Sequence, residues 1–346
     1  MSAEVEQQLE SAEAGGKPVQ QNSRVRSRRG IERWALLIAF VILVAVFASI
    51  LPGTFASYAN LRVILNGQAV IAVAALALLV PLVGGRFDVS VGSNIALNAI
   101  VCAAAMSHFS LPLWLAALLA LLVGGLVGAI NGFFIAYLGV NSLIATLASA
   151  TIIIGLNQWY TGGRPIATGI DQSLTSVSVG QIAGIPLLAV IMIVLAVIVW
   201  YLLTQTVYGR QLTAVGVGLE ASRLVGVPVR GRILMSFVIS GVLAGFAGIL
   251  QLGRQGSGDP AAGGIEFILP ALAAVFLGAT AFTPGRYNVP GTILGLFFVG
   301  VAVSGLALLG AKPWVQPVFN GAIVLVAVAA SQYANRRRTG NAPIGS

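Results

Sequence analysis

A chain of 346 residues that is 58% hydrophobic and only 8% charged is not a pair of water-soluble domains, since soluble proteins carry roughly 25% charged residues. With a mean hydropathy of +0.95 it cannot hide its apolar surface in a soluble core of this size, so the composition describes a polytopic membrane protein. The formal charge of +9 does not point to nucleic acid, because the basic residues sit at the ends of apolar runs rather than on one soluble face.

Residues 1–33 form a polar tail, acidic first (Glu4, Glu6, Glu10, Glu13) and then basic (Lys17, Arg24, Arg26, Arg28, Arg29, Arg33). It has too little apolar surface to fold alone, and a disordered cytoplasmic tail is expected. A secretory signal is discounted: the basic region is long and no small-residue cleavage site precedes a soluble domain. From Trp34 the hydropathy gives ten candidate spans, 34–51, 62–83, 88–106, 113–137, 141–160, 186–205, 233–252, 265–282, 289–309 and 314–333. Glycine and charge interrupt the approaches to the third and eighth. A basic tail, 334–346, follows. With the N-terminus inside, fifteen Lys and Arg fall on the inner side and only Arg62, Arg164, Arg254 and Lys312 on the outer. That asymmetry predicts an all-α fold of about ten transmembrane helices with both termini cytoplasmic.

The longest insertion of polar and small residues, Gly209 to Val229 with Arg230 and Arg232 after it, then lies inside. Val217, Ala221, Leu224 and Val225 recur at helical spacing on one face, with Glu220 and Arg223 on the other. Gly226 and Pro228 supply the stop. One short amphipathic helix across the end of the bundle, touching something in the cytoplasm, is the expectation for segment 209–232. A second signal is an internal match: Gly128-Ala-Ile-Asn-Gly-Phe-Phe resembles Gly291-Thr-Ile-Leu-Gly-Leu-Phe. The first lies late in a span and the second early in one, so an inverted repeat and a chance match both stay open.

No catalytic or metal-ligating cluster is visible, and no GxxxxGK[ST] loop is present, so nucleotide, if used, belongs on another subunit and no cofactor is implied. His108 stands alone in a short outer loop, and the outer loop Thr161–Pro186 is rich in Gly, Ser and Thr. The informative intramembrane stretch follows Gly84-Gly85. There Ser90, Asn94 and Asn98, at i, i+4 and i+8, make a polar stripe on the third span. Such groups need partners in lipid, so they either line a path for a hydroxylated solute or bond helices together. Asp88 either belongs to that path or caps the helix that follows. Asn131, Asn141, Asn157, Gln158 and Trp159 are polar or aromatic groups near span ends, and Glu266 opens the eighth span.

These residues carry a resemblance. Gly85-Arg-Phe-Asp-Val-Ser-Val-Gly resembles a signature of the sugar-type permeases of ATP-binding cassette importers, the ribose, xylose and autoinducer-2 group. Asn131-Gly, Ile144-Ala-Thr-Leu and Thr161-Gly-Gly-Arg-Pro-Ile follow in that family's order. Gly209-Arg and Glu220-Ala-Ser-Arg-Leu-Val-Gly-Val are similar to its cytoplasmic segment, and Ser257-Gly-Asp-Pro, Leu277-Gly-Ala-Thr and Gly291-Thr extend the match. Gly218, Ser222, Asn141-Ser142, Ala148 and Leu269-Pro-Ala-Leu depart from the pattern. The resemblance implies a multi-pass permease subunit of a bacterial-type plasma membrane, importing a small sugar or polyol-like solute. It implies as partners a cytoplasmic ATPase, an extracytoplasmic solute-binding protein, a second permease copy and membrane lipid. ATPase coupling would fall on Gly209, Arg210, Glu220, Ala221, Ser222, Arg223 and Gly226, and the path on Asp88, Ser90, Asn94, Asn98 and Asn131. A proton- or sodium-coupled carrier is the rival, with only Asp88 and Glu266 offered as titratable groups. A membrane enzyme lacks any clustered catalytic set.

Overall fold

A computed structural model describes the backbone of residues 23–339 and the side chains of 33–329. The expectations for 1–22 and 340–346 lie outside the described residues. The chain is helical almost throughout: α1 Ser23–Ile50, α2 Tyr58–Val83, α3 Val91–Ser107, α4 Leu113–Ala136, α5 Ser142–Thr161 and the short α6 Gln172–Val179. After a two-stranded hairpin, β1 Gln181–Ile182 and β2 Ile185–Pro186, come α7 Leu187–Gln205, α8 Val207–Val217 and α9 Leu219–Leu224. The last four are α10 Val229–Gln255, α11 Ile265–Gly278, α12 Val289–Leu308 and α13 Val315–Thr339. Each expected span falls on a helix. The basic run that the sequence assigned to the tail instead forms the first turns of α1.

Among the described residues, seven helices are long and apolar enough to cross a bilayer by themselves, whereas α3, α11 and the apolar part of α13 are shorter. At 1.5 Å per residue, α3 reaches about 25 Å and α11 about 21 Å, against a hydrocarbon core of about 30 Å. Gly85 explains the break before α3: at φ +72 it takes the left-handed region that a residue with a Cβ resists.

Of the long helices, α2 and α10 are the most buried. The middle of α2 and the facing side of α10 supply most of the main apolar core, with parts of α3, α7, α11 and α12 around them. Close packing of α10 on α4 depends on small residues. A Cβ on Gly128 would lie 2.1 Å from the Phe237 carbonyl oxygen, and one on Gly124 would lie 2.4 Å from that of Gly241. Gly132 meets Leu234 in the same way, so the two helices run antiparallel with backbones in contact.

Helices α2–α5 and α10–α13 repeat one plan. Each set has a long helix, a short one and two further helices, and in each the second packs on the third and fourth. The long helices α2 and α10 touch each other, and each also packs on the second and third helices of the opposite set. The fold therefore contains a duplication. It does not run through the match noted in the sequence, because Gly128 lies late in α4 against α10 whereas Gly291 lies early in α12 against Gly278 of α11.

One end of the bundle gathers α8, α9, the end of α2, the end of α4 and the start of α10. Arg230 lies over the Tyr137 ring at 5.9 Å and Arg232 over the Tyr208 ring at 5.6 Å. The backbone of Phe282 and that of Arg33 join α11 to α1 there. At the other end the loop 162–171 is pinned, not free: Ile166 and Gly258 exchange backbone hydrogen bonds of 3.0 and 2.9 Å, and Leu174 of α6 is buried. His108 is paired as well, with Nδ1 3.0 Å from the Tyr160 hydroxyl.

Candidate functional site

The 209–232 segment is two helices, not one. Gly218 is extended (φ −163, ψ 105), so it ends α8 and resets the phase of α9. In α8, Leu212 and Val215 are buried, and Gly209 is the only residue type that fits where the chain folds back on α7: a Cβ there would meet the Leu203 carbonyl oxygen at 2.2 Å. The Thr206 hydroxyl caps the turn by accepting from the Gly209 amide at 3.2 Å, and Arg210 donates to the Gln205 carbonyl at 3.3 Å. In α9 the buried residue is Ser222, while half-buried Leu219 packs toward Ile135, Val215 and Ile233. Gly226 closes the unit in the left-handed region at φ +79.

The break corrects the expectation of one continuous helix. Val217, Leu224 and Val225, of the apolar face read from the spacing, are 79%, 88% and 77% exposed. Exposed Glu220 and Arg223 pair at 2.7 Å beside them, and Ala221 is exposed too. An apolar patch of this kind around an ion pair is what a partner protein covers. Nearby, burial pushes the Tyr208 phenol up, with the Arg232 charge opposing it, so its ring stays a neutral platform for that cation.

On its other side α8 sits on the break before α3. A Cβ on Gly84 would touch Leu212 Cδ1 at 2.8 Å, and one on Gly216 would strike the Val83 carbonyl oxygen at 2.1 Å. The segment after that break is wired to three helices. The Phe87 amide donates to Ser142 Oγ at 3.2 Å and the Val89 amide to Thr146 Oγ1 at 3.1 Å, both on α5. Asp88 Oδ1 accepts from the Ser90 amide at 3.1 Å and from Ser90 Oγ at 2.6 Å, while Oδ2 accepts from Ser240 Oγ of α10 at 2.8 Å. Asn131 Nδ2 of α4 donates to Ser90 Oγ at 2.9 Å. The carboxylate therefore closes a turn just ahead of α3 and reaches across to α10, which is more than a helix cap.

Asp88, Ser90, Asn94, Asn98 and Asn131 are all buried. Asn98 Nδ2 donates to Asn94 O at 2.7 Å and Oδ1 at 2.8 Å, whereas Asn94 Nδ2 reaches Gly124 O only at 3.4 Å. Asn98 Oδ1 has no partner. The stripe thus lies between α3, α4 and α10. The sequence reading missed Ser240, Ser142 and Thr146 as members. Ser236 and Ser240, four apart beside the small residues of α10, were the available signal for the first. Asn141 caps α5 by accepting from the Leu143 amide at 2.9 Å. Asn157 is buried with neither amide atom satisfied, and Glu266 is exposed in the first turn of α11. Among the described residues no His, Cys, Asp or Glu group could hold a metal.

Residues 60–328 match the family described as "Branched-chain amino acid transport system / permease component". The chain belongs to this permease family. The permease is 34% identical over 304 residues to the ribose import permease protein RbsC of Haemophilus influenzae, covering 87% of this chain and 93% of that one. It is 31% identical to the galactose/methyl galactoside import permease protein MglC of Escherichia coli, covering 86% and 95%. To the D-allose transport system permease protein AlsC of Escherichia coli it is 28% identical, covering 86% and 91%. No solved structure matches the permease. Family and apolar helices together make it a multi-pass plasma-membrane transport subunit, not an enzyme.

Proposed function

We propose that this permease imports a small sugar through ten spans with both termini in the cytoplasm. The sugar class is supported by relatives named for ribose, galactose and allose. The orientation is supported by the arginines gathered at the α8–α9 end, since cytoplasmic loops retain positive charge. A cytoplasmic ATPase docks on α8 and α9 through Glu220, Ala221, Arg223 and the apolar residues around them, while Gly209, Arg210, Ser222 and Gly226 hold that surface in shape. A solute-binding protein delivers sugar to the other end, and a second permease copy completes the path. The domain plan is a cytoplasmic N-terminal segment through residue 33 whose last part continues α1, a transmembrane unit over 34–333 with its coupling segment, and a basic segment from 334 whose first part continues α13.

The observation that carries the mechanism is the seat of α8 on Gly84 and Gly85. A push on α8 bears directly on the link to α3, where Asp88, Ser90, Asn131 and Ser240 tie α3, α4 and α10 into one unit. Coupling of this kind needs a contiguous packed route between the two sites. Asp88, Ser90, Asn94, Asn98 and Asn131 are enclosed in this conformation and offer hydroxyl-binding groups to the solute when the helices part. The test is uptake into vesicles holding the permease, with and without the ATPase and a sugar-loaded binding protein. Uptake should require both proteins. Uptake driven by a proton or sodium gradient in their absence would refute the importer reading. Reporters fused within 210–232 should register cytoplasm, and those within 169–180 the outside.

A further inference from the structure

At the end of the bundle opposite α8 and α9, a cavity of about 540 Å³ opens between the start of α2, α6, the start of α7 and the end of α10. Its wall carries two arginines from different helices, Arg62 and Arg254. Neither meets a carboxylate: among the described residues the one ion pair is Arg223 with Glu220. Arg254 Nη1 donates to the Gly67 carbonyl at 3.3 Å, both terminal nitrogens of Arg62 donate to the Gln181 side-chain oxygen, and the Arg62 guanidinium carbon lies 5.8 Å from the Tyr58 ring centre. Those neighbours are neutral, and a guanidinium has five donors, so most of the donor capacity in this cavity is unspent.

Two further wall residues ask for partners. Among the described residues, Ser178 Oγ and Asn66 Oδ1 are buried and have none. A hydroxyl can donate to an anion, whereas the amide oxygen must accept from a donor on whatever enters. The occupant is therefore an anion that also bears hydroxyls. A neutral sugar would supply hydroxyls but leave both cations uncompensated. The rim decides the source: Val63 of α2 and Val179 of α6, both on the wall, are 66% and 73% exposed, and Leu61 beside them is 50% exposed. Apolar surface of that extent next to paired arginines matches a phosphodiester carrying hydrocarbon chains.

We propose that this cavity binds the headgroup of a hydroxylated anionic phospholipid of the phosphatidylglycerol class. Its phosphodiester lies between Arg62 and Arg254, a headgroup hydroxyl donates to Asn66 Oδ1, and the acyl chains follow Leu61, Val63 and Val179. The site rests on the orientation proposed above only in assigning the lipid to the outer leaflet.

The test is native mass spectrometry of the full-length permease in detergent, titrated separately with phosphatidylglycerol and phosphatidylcholine. The wild type should retain phosphatidylglycerol roughly tenfold or more over phosphatidylcholine, whose quaternary ammonium offsets the phosphate charge beside the two arginines and whose headgroup has no hydroxyl for Asn66. Arg62→Ala and Arg254→Ala should each abolish that preference, and Arg62→Lys should keep part of it. Equal retention of the two lipids by the wild type overturns the proposal without needing any variant to fold. Undiminished preference in both alanine variants overturns it as well. Displacement by inorganic phosphate at the same concentration as by phosphatidylglycerol would show a free-anion site in place of a lipid site. If the alanine variants lose affinity for the binding protein while lipid preference is unchanged, the arginines dock a protein and the lipid site is refuted. An inverted result from the topology reporters would leave the lipid preference intact, so the two readings fail separately.

Discussion

Truncating Leu224 should separate docking from folding. Leu224 is 88% exposed at the end of α9, so almost all of its burial would happen on contact with the ATPase. Leu224→Ala removes three carbons, and at about 0.8 kcal/mol per buried carbon the docked complex loses about 2 kcal/mol. That corresponds to roughly 30-fold weaker association, since each 1.4 kcal/mol is about tenfold. The permease itself should be unaffected, because surface substitutions that touch nothing stay within about 0.5 kcal/mol. The assay is affinity of the ATPase for permease in nanodiscs, read beside the permease melting temperature and sugar-stimulated ATP hydrolysis. Affinity within about twofold of wild type would refute the reasoning, because it would show that Leu224 is not buried by the ATPase. A fall in melting temperature would refute it differently, by showing that Leu224 packs within its own chain.

Two further outcomes test the interior. Gly128→Ala places a methyl on the Phe237 carbonyl and should cost about 1–3 kcal/mol as the backbones are forced apart, whereas Gly155→Ala, with nothing within 4 Å, should cost nothing; thermal unfolding of the two in detergent makes the comparison, and equal midpoints would contradict the packing. Ser240→Ala leaves Asp88 Oδ2 without its partner and should cost about 1–3 kcal/mol, with uptake falling because α10 is no longer tied to the α3 link. Transport and stability both at wild-type level would show that Asp88 does not join those helices.

Composition and hydropathy were enough to find every long helix, because burial in lipid imposes about twenty apolar residues whatever the partners are. The limits of most spans fell within a few residues of the helices, and glycine and charge marked α3 and α11 as the irregular ones. Motif order carried the family, and Gly209 and Gly226 proved to be residues that backbone geometry demands. What the sequence could not decide was direction. Periodicity assumes one unbroken helix, so it missed the extended Gly218 that splits the segment in two, and it could not say that Val217, Leu224 and Val225 stay exposed.

Long-range pairing was hidden for a related reason. Ser240 lies 152 residues from Asp88, and only the approach of α10 to α3 makes them partners. Lipid-facing and helix-facing positions are both apolar, so hydropathy cannot say which glycine meets a neighbouring backbone and which meets open space. Gly128 and Gly155 look alike in the chain, and only tertiary packing makes the first irreplaceable and the second idle. The repeated plan of α2–α5 and α10–α13 lives in helix order and contacts, which membrane helices can keep with many different apolar residues.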